Sequence, residues 1–255
     1  MLFFGKPNIK KLKDSKNTKE LIKALDSKNL EIRIEAAKAL GDVGGFGAID
    51  PLKAVLLRDN DGATAYAAKA LGKLKWKPTQ IDSGKLKFRF WMEHLSDEDE
   101  AAKELASLGD STLIDKSTLI IAIVLKLKAS VNNYNLLAKA LSQDGMYHRI
   151  DSNCSMLIAE YDTAQRTILG CMDTLRAIGD PTTIPMLEFI TQQLENHHVG
   201  NHWRNLSEFS DSLPKLHAGF AIEDLRKRKG TSSLEASQFS SLIEIVMSPQ
   251  QDKML

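Results

Sequence analysis

The chain has 255 residues, 43% of them hydrophobic and 26% charged, with a formal net charge of +1. These proportions are ordinary for a globular protein and leave room for one or two domains. No stretch approaches the ~18 uninterrupted apolar residues of a membrane helix; the most apolar run, Leu119 to Leu125, is followed at once by Lys126 and Lys128.

The small net charge hides an asymmetry. Residues 1–89 carry 19 Lys and Arg against 10 Asp and Glu, whereas residues 90–255 carry 15 against 23. A polarised molecule of this kind can steer an anionic partner to one end, or simply be well solvated. At the start, Met1-Leu2-Phe3-Phe4 meets Gly5-Lys6-Pro7 directly, so no signal-peptide core is present. Phe3 and Phe4 are read as a hydrophobic staple under the first helix rather than as a membrane or partner anchor. Cys154 and Cys171 lie outside any CxxC, which argues against a disulfide framework and a zinc knuckle. Buried thiols and a cytoplasmic location are expected.

The first predicted helix runs over 19–25, capped by Asn17 or Thr18, and the next over 30–43. The second places Ile32, Ile34, Ala36, Ala37, Leu40 and Val43 on one broad face and ends where Gly41, Gly44 and Gly45 accumulate. Residues 49–57 and 63–74 repeat the plan, with Pro51 in the first turn of the third helix. Over 76–97 the pattern breaks. The alternation in 85–91 resembles a strand but is read as a short helix, because a lone strand has nothing to pair with. Ser96 then caps a helix over 98–108 with an acidic first turn. Helices near 111–128 and 132–143 follow, then a longer connection over 143–155. A further unit covers 163–196, with one helix ending at Gly179-Asp180-Pro181 and another starting near Ile184. A polar segment over 197–212 precedes helices over 214–229 and 234–247, and 248–255 is read as a frayed tail.

Two of these helices share a motif. Ala36-Ala37-Lys38-Ala39-Leu40-Gly41 returns letter for letter as Ala67-Ala68-Lys69-Ala70-Leu71-Gly72, 31 residues later, and Ala101-Ala102-Lys103-Glu104-Leu105-Ala106 follows after 34 more. Self-similarity at this period points to helical pairs stacked so that each buries its apolar face on its neighbours. Ile32-Arg33, Ala36-Ala37, Ala39-Leu40-Gly41 and Val43-Gly44, followed by Ile49 and Pro51-Leu52, resemble HEAT-like repeats, in particular the short prokaryotic kind first noted in phycobilin lyases. The likeness covers roughly residues 17–127 and 163–195. It implies an all-α, right-handed α/α superhelix of five to six helical pairs over 1–247, interrupted near 76–97, 143–162 and 197–212. The second repeat departs from the pattern at Thr64, where an arginine is expected, so an arginine ladder is broken there.

No catalytic constellation emerges. The His-Glu dipeptides of the family's iron-binding hydroxylases are absent, as are G-x-S-x-G, a P-loop and G-x-G-x-x-G. His198 and His202 stand at i, i+4 and can share a helix face beside His197 and Trp203, but a polar loop explains them without a metal. Neither a cofactor nor a metal is expected. Lys73, Lys75, Lys77, Lys85, Lys87 and Arg89 interleave with Trp76, Phe88, Phe90 and Trp91, a pattern that suits either base stacking with phosphate neutralisation or core aromatics beside solvated lysines. Arg226 to Lys229 form a second basic cluster, explained by the negative end of a helix.

The expected function is that of a non-catalytic scaffold that binds another protein along the second helices. Arg33, Lys38, Thr64, Tyr66 and Lys69 are the polar candidates there, with Lys75, Trp76, Arg89 and Trp91 beside them. A phycobilin-lyase-like subunit and a nucleic-acid-binding solenoid are the alternatives, and no membrane partner is expected.

Overall fold

The computed structural model describes residues 7–58, 62–96, 100–111, 114–142, 152–194, 213–228 and 236–247. They are helical apart from turns and short connections, and they divide into two compact units, Met1–His94 and Leu95–Leu255.

The first unit contains α1 (Ile9–Asp14), α2 (Thr18–Ala24), α3 (Leu30–Val43), α4 (Ile49–Arg58), α5 (Gly62–Lys73) and α6 (Gly84–Glu93). Three asparagines start the first three helices. Asn8 accepts from the Lys11 N–H at 2.9 Å, Asn17 from Glu20 at 3.2 Å, and Asn29 from Glu31 at 2.9 Å. Each satisfies a backbone donor that the first helical turn leaves without an internal acceptor. Helix α3 occupies the expected span, and α2, α4 and α5 fall within a residue of theirs at each end. Helix α1 was not foreseen, because six residues containing three lysines carry almost no periodic signal.

The repeated motif packs as its composition predicts. Ala36, Ala37, Ala39 and Leu40 are buried, and so are Ala67, Ala68, Ala70 and Leu71. Contacts between α3 and α5 rise together along both helices: Ile34 faces Gly62, Lys38 faces Tyr66, Gly41 faces Ala70, and Asp42 meets Lys73. The two second helices therefore run parallel. Their closest approach is at Gly41, where an added Cβ would stand 2.9 Å from the Ala70 Cα. Gly72, the equivalent residue of the next copy, is closed in by the His94 ring, whose Nε2 would lie 2.4 Å from an added Cβ.

A second periodic element is made by arginine. Arg58 donates to the Leu25 carbonyl at 3.2 Å and pairs with Asp26 at 2.9 Å. Arg89 donates to the Leu56 carbonyl at 2.6 Å. Arg58 and Arg89 are 31 residues apart, as are Leu25 and Leu56. Each guanidinium occupies a carbonyl at the end of the preceding first helix, where intrahelical partners run out. Helix α6 thus stands to α4 as α4 stands to α2. Within the segment 76–97, where the repeat motif lapses, the short helix expected over 85–91 is present as α6.

The second unit contains α7 (Ala101–Asp110), α8 (Lys116–Ser142), α9 (Ser152–Ile178), α10 (Ile184–Gln192) and the helices Leu213–Lys227 and Ala236–Met247. Two expectations are corrected here. The helices anticipated near 111–128 and 132–143 are one continuous α8. Residues 129–132 contain neither Gly nor Pro, and the buried series Leu127, Val131, Tyr134, Ala138, Leu141 carries the stripe through them. The connection anticipated over 143–155, within the interruption near 143–162, is helical from Ser152 onward, so α9 starts well before the repeat motif it ends with. Asp115 caps α8, accepting from the Thr118 N–H at 2.9 Å, its hydroxyl at 3.0 Å and the Ser117 hydroxyl. Helices α8 and α9 pack antiparallel. Tyr134 near the end of one stacks on Tyr161 near the start of the other, with ring centroids 4.8 Å apart and hydroxyls 2.8 Å apart.

Because the Gly41 contact is with backbone, Gly41→Ala should lower stability by about 1–2 kcal/mol despite alanine's better helix propensity. Gly219 lies in a helix with nothing within 4 Å of an added Cβ, so Gly219→Ala should raise stability by about 0.5–1 kcal/mol. Thermal or urea unfolding of the two variants distinguishes close approach from propensity.

Candidate functional site

The outward face of α3 and α5 is built by subtraction. Once the alanines and leucines turn inward, Glu31, Glu35, Lys38 and Asp42 remain exposed on α3, and Lys69 and Lys73 on α5. Tyr66 stands half-buried among them. The Lys38 ammonium lies 4.3 Å from its ring centre and the Lys69 ammonium 6.0 Å. Lys38 and Lys69 are the outward residues of the two identical motif copies; parallel packing brings Lys38 to the ring, and Lys69 lies one turn along α5 from Tyr66. Cations at this distance are attracted by the ring's negative face.

At the end of this face Asp42 accepts from Lys13 and from Lys73, each at 2.6 Å. The Lys13 hydrogen bond, followed by that from Lys73, holds the Asp42 carboxyl below the usual range. The three side chains join α1, α3 and α5.

The remaining predicted residues separate. Arg33 turns back onto the α2–α3 turn, donating to the Ser27 carbonyl at 2.8 Å and the Lys28 carbonyl at 3.3 Å. Thr64 is half-buried in the first turn of α5. Arg89 is committed to the Leu56 carbonyl. Trp91 is only 2% exposed and Phe90 only 1%, so neither offers a face to a base. Trp76 meets Phe90 edge-on at 5.2 Å, and the Lys53 ammonium lies 5.2 Å from its ring. Of the aromatic residues between the lysines, Phe90 and Trp91 belong to the core, while Trp76 and Phe88 are half-buried. Lys75 is exposed and adopts φ 60°, a left-handed position that closes α5 through Trp76 N–H to the Leu71 carbonyl at 3.0 Å. Sequence reasoning missed Lys53, which pairs with Asp82 at 2.8 Å, and Lys13. No local pattern identifies either, since both act on residues far along the chain.

His197, His198, His202 and Trp203 lie outside the described residues. Among the described residues no group of three or more His, Cys, Asp or Glu is placed to hold a metal ion. Cys171 is fully buried, and burial pushes its thiol up to about 12, which makes it a poor nucleophile. No helix of the described residues is long and apolar enough to cross a membrane.

Residues 8–75 match the family model for HEAT repeats. That segment begins at α1 and ends just past α5, taking in both identical motif copies and the parallel second helices. The fold and the match agree over that segment, which is built of HEAT-like repeats. No curated protein and no solved structure matched the chain.

Two stability measurements follow. Asp42 titrates lower when folded than when unfolded, so its ion pairs stabilise fully above its unfolded value, about 3.9, and are lost as pH falls through the folded value. Asp42→Asn should therefore melt below the parent at neutral pH, with the gap closing in acid. Lys75→Gly should raise stability by about 0.5–1 kcal/mol, since glycine occupies the left-handed position without a Cβ penalty.

Proposed function

We propose that the protein is a non-catalytic scaffold and that it holds an acidic segment of another protein on the outward face of α3 and α5. The observation that carries this reading is Tyr66 between Lys38 and Lys69. A tyrosine ring supplies apolar area at low entropic cost, and interfaces concentrate their energy on such residues. A partner carboxylate can take either ammonium while apolar groups cover the ring. The neighbouring Glu31 and Glu35 on α3 select against acidic groups at the start of that helix and so set direction along the face. Repeated second helices extend such a face from α3 to α5, as stacked repeats do elsewhere.

The test replaces Tyr66 with a photo-crosslinking amino acid in the native cell. An adduct with one protein that disappears with Lys38→Glu/Lys69→Glu is the expected result. In purified form that double change should weaken the complex about tenfold or more, with less effect at high salt. Adducts unaffected by the charge reversal would remove the reading.

A further inference from the structure

The parallel course of α3 and α5 has a consequence at their C-terminal ends. The connections that follow them, 44–48 and 74–83, emerge at the same end of the first unit. Helix α1 ends there as well, since Lys13 reaches Asp42. Two large apolar side chains stand in solvent at this end. Phe46 is 91% exposed and Ile81 is 96% exposed, well beyond any other exposed large hydrophobic among the described residues. Both border the start of α4: Phe46 precedes Ile49 by three residues, and Asp82, next to Ile81, is tied to Lys53 one turn into that helix.

Neither side chain is buried against the described residues of the unit. Phe46 sits between Gly45 and Gly47, and a Cβ added at Gly44, Gly45 or Gly47 would meet nothing within 4 Å. Around them Lys13, Lys73, Lys75, Lys77 and Lys85 are exposed. The carboxylates of this end are largely engaged. Asp42 is held by Lys13 and Lys73, and Asp82 by Lys53 and by the Thr79 N–H and hydroxyl at 2.8 and 2.9 Å. Asp50 and Asp14 are exposed.

We propose that this end of the first unit docks on an anionic lipid bilayer, with Phe46 and Ile81 entering the boundary between headgroups and acyl chains while the lysines meet lipid phosphates. Two apolar tips projecting separately, with lysines around them, fit a fluid surface that accommodates each tip where it falls. A nucleic acid fits less well, because Ile81 has no face for stacking and the rings of Phe90 and Trp91 are buried. Apolar insertion and a basic surface are individually weak membrane signals that become effective together. Each lysine near an anionic leaflet multiplies binding about fivefold.

Flotation of the full chain with vesicles tests this. Binding to phosphatidylcholine–phosphatidylserine vesicles at low salt is expected, with little binding to phosphatidylcholine alone. Phe46→Ser/Ile81→Ser should reduce it about tenfold or more, and Lys75→Glu/Lys77→Glu by a similar factor. Both pairs are solvent-exposed, and unchanged circular dichroism melting shows that the fold is retained. Tyr66→Ala should leave vesicle binding intact, which separates this surface from the protein-binding face. Failure to float with anionic vesicles overturns the proposal, as does floating that survives loss of Phe46 and Ile81. Retention of a single-stranded RNA that depends on the lysines but not on Phe46 and Ile81, in place of vesicle binding, assigns the surface to nucleic acid and overturns it equally.

Discussion

The close approach of α3 to α5 at Gly41 is the constraint from which the first unit follows. Without a side chain there, the backbone of α3 comes against the Ala70 Cα, and the flanking alanines let the helices stay close along their length. Small residues give up apolar area per residue. They recover it through dense packing between backbones, which costs little side-chain entropy to order. Close parallel packing also fixes the phase of the two helices, so equivalent residues of the motif copies must turn the same way. Lys38 reaches Tyr66 for this reason.

The same geometry decides what happens at the helix ends. Arg58 and Arg89 each reach back to a carbonyl at the end of the preceding first helix, which adds polar contacts to the apolar packing between successive helices. The bridges of Asp42 to Lys13 and Lys73 do the corresponding work for α1, α3 and α5. Exposed ion pairs of this kind contribute modestly to stability. Their effect here is to neutralise an acidic side chain at an end otherwise dominated by lysine. The outward face of α3 and α5 and the lysine-rich end are therefore two products of one packing arrangement.

Local signals carried far in the sequence. The Asn17 cap, the glycines after Val43 and the apolar face of α3 were readable, because caps and periodicity are properties of neighbouring residues. Periodicity misled where the core asked for more than the repeat motif describes. Helix α8 runs on through polar residues because Val131 and Tyr134 keep the buried stripe in phase, and α9 begins eleven residues before the helix the motif suggested. The candidate site fared similarly. Lys38, Tyr66 and Lys69 were identifiable as outward positions among alanines, whereas Arg33 and Arg89 are tied to backbone carbonyls and Trp91 is buried. The difference lies in partners such as Ser27 and Leu56, which no spacing rule connects to them.

The sequence by itself determined an all-helical chain built on a repeat of about thirty residues, with its small residues turned inward. It did so because helix capping, apolar period and motif identity are all encoded within a turn or two of chain. Only the tertiary structure decided that α3 and α5 run parallel, that Arg58 and Arg89 form the periodic bridges in place of Arg33 and Thr64, and that Phe46 and Ile81 share one basic end. Those outcomes depend on which residues meet across gaps of 28 to 33 positions, as in Lys38 with Tyr66 and Arg58 with Leu25. Distances across such gaps are set by how closely the helices pack, and that is the part the chain settles only by folding.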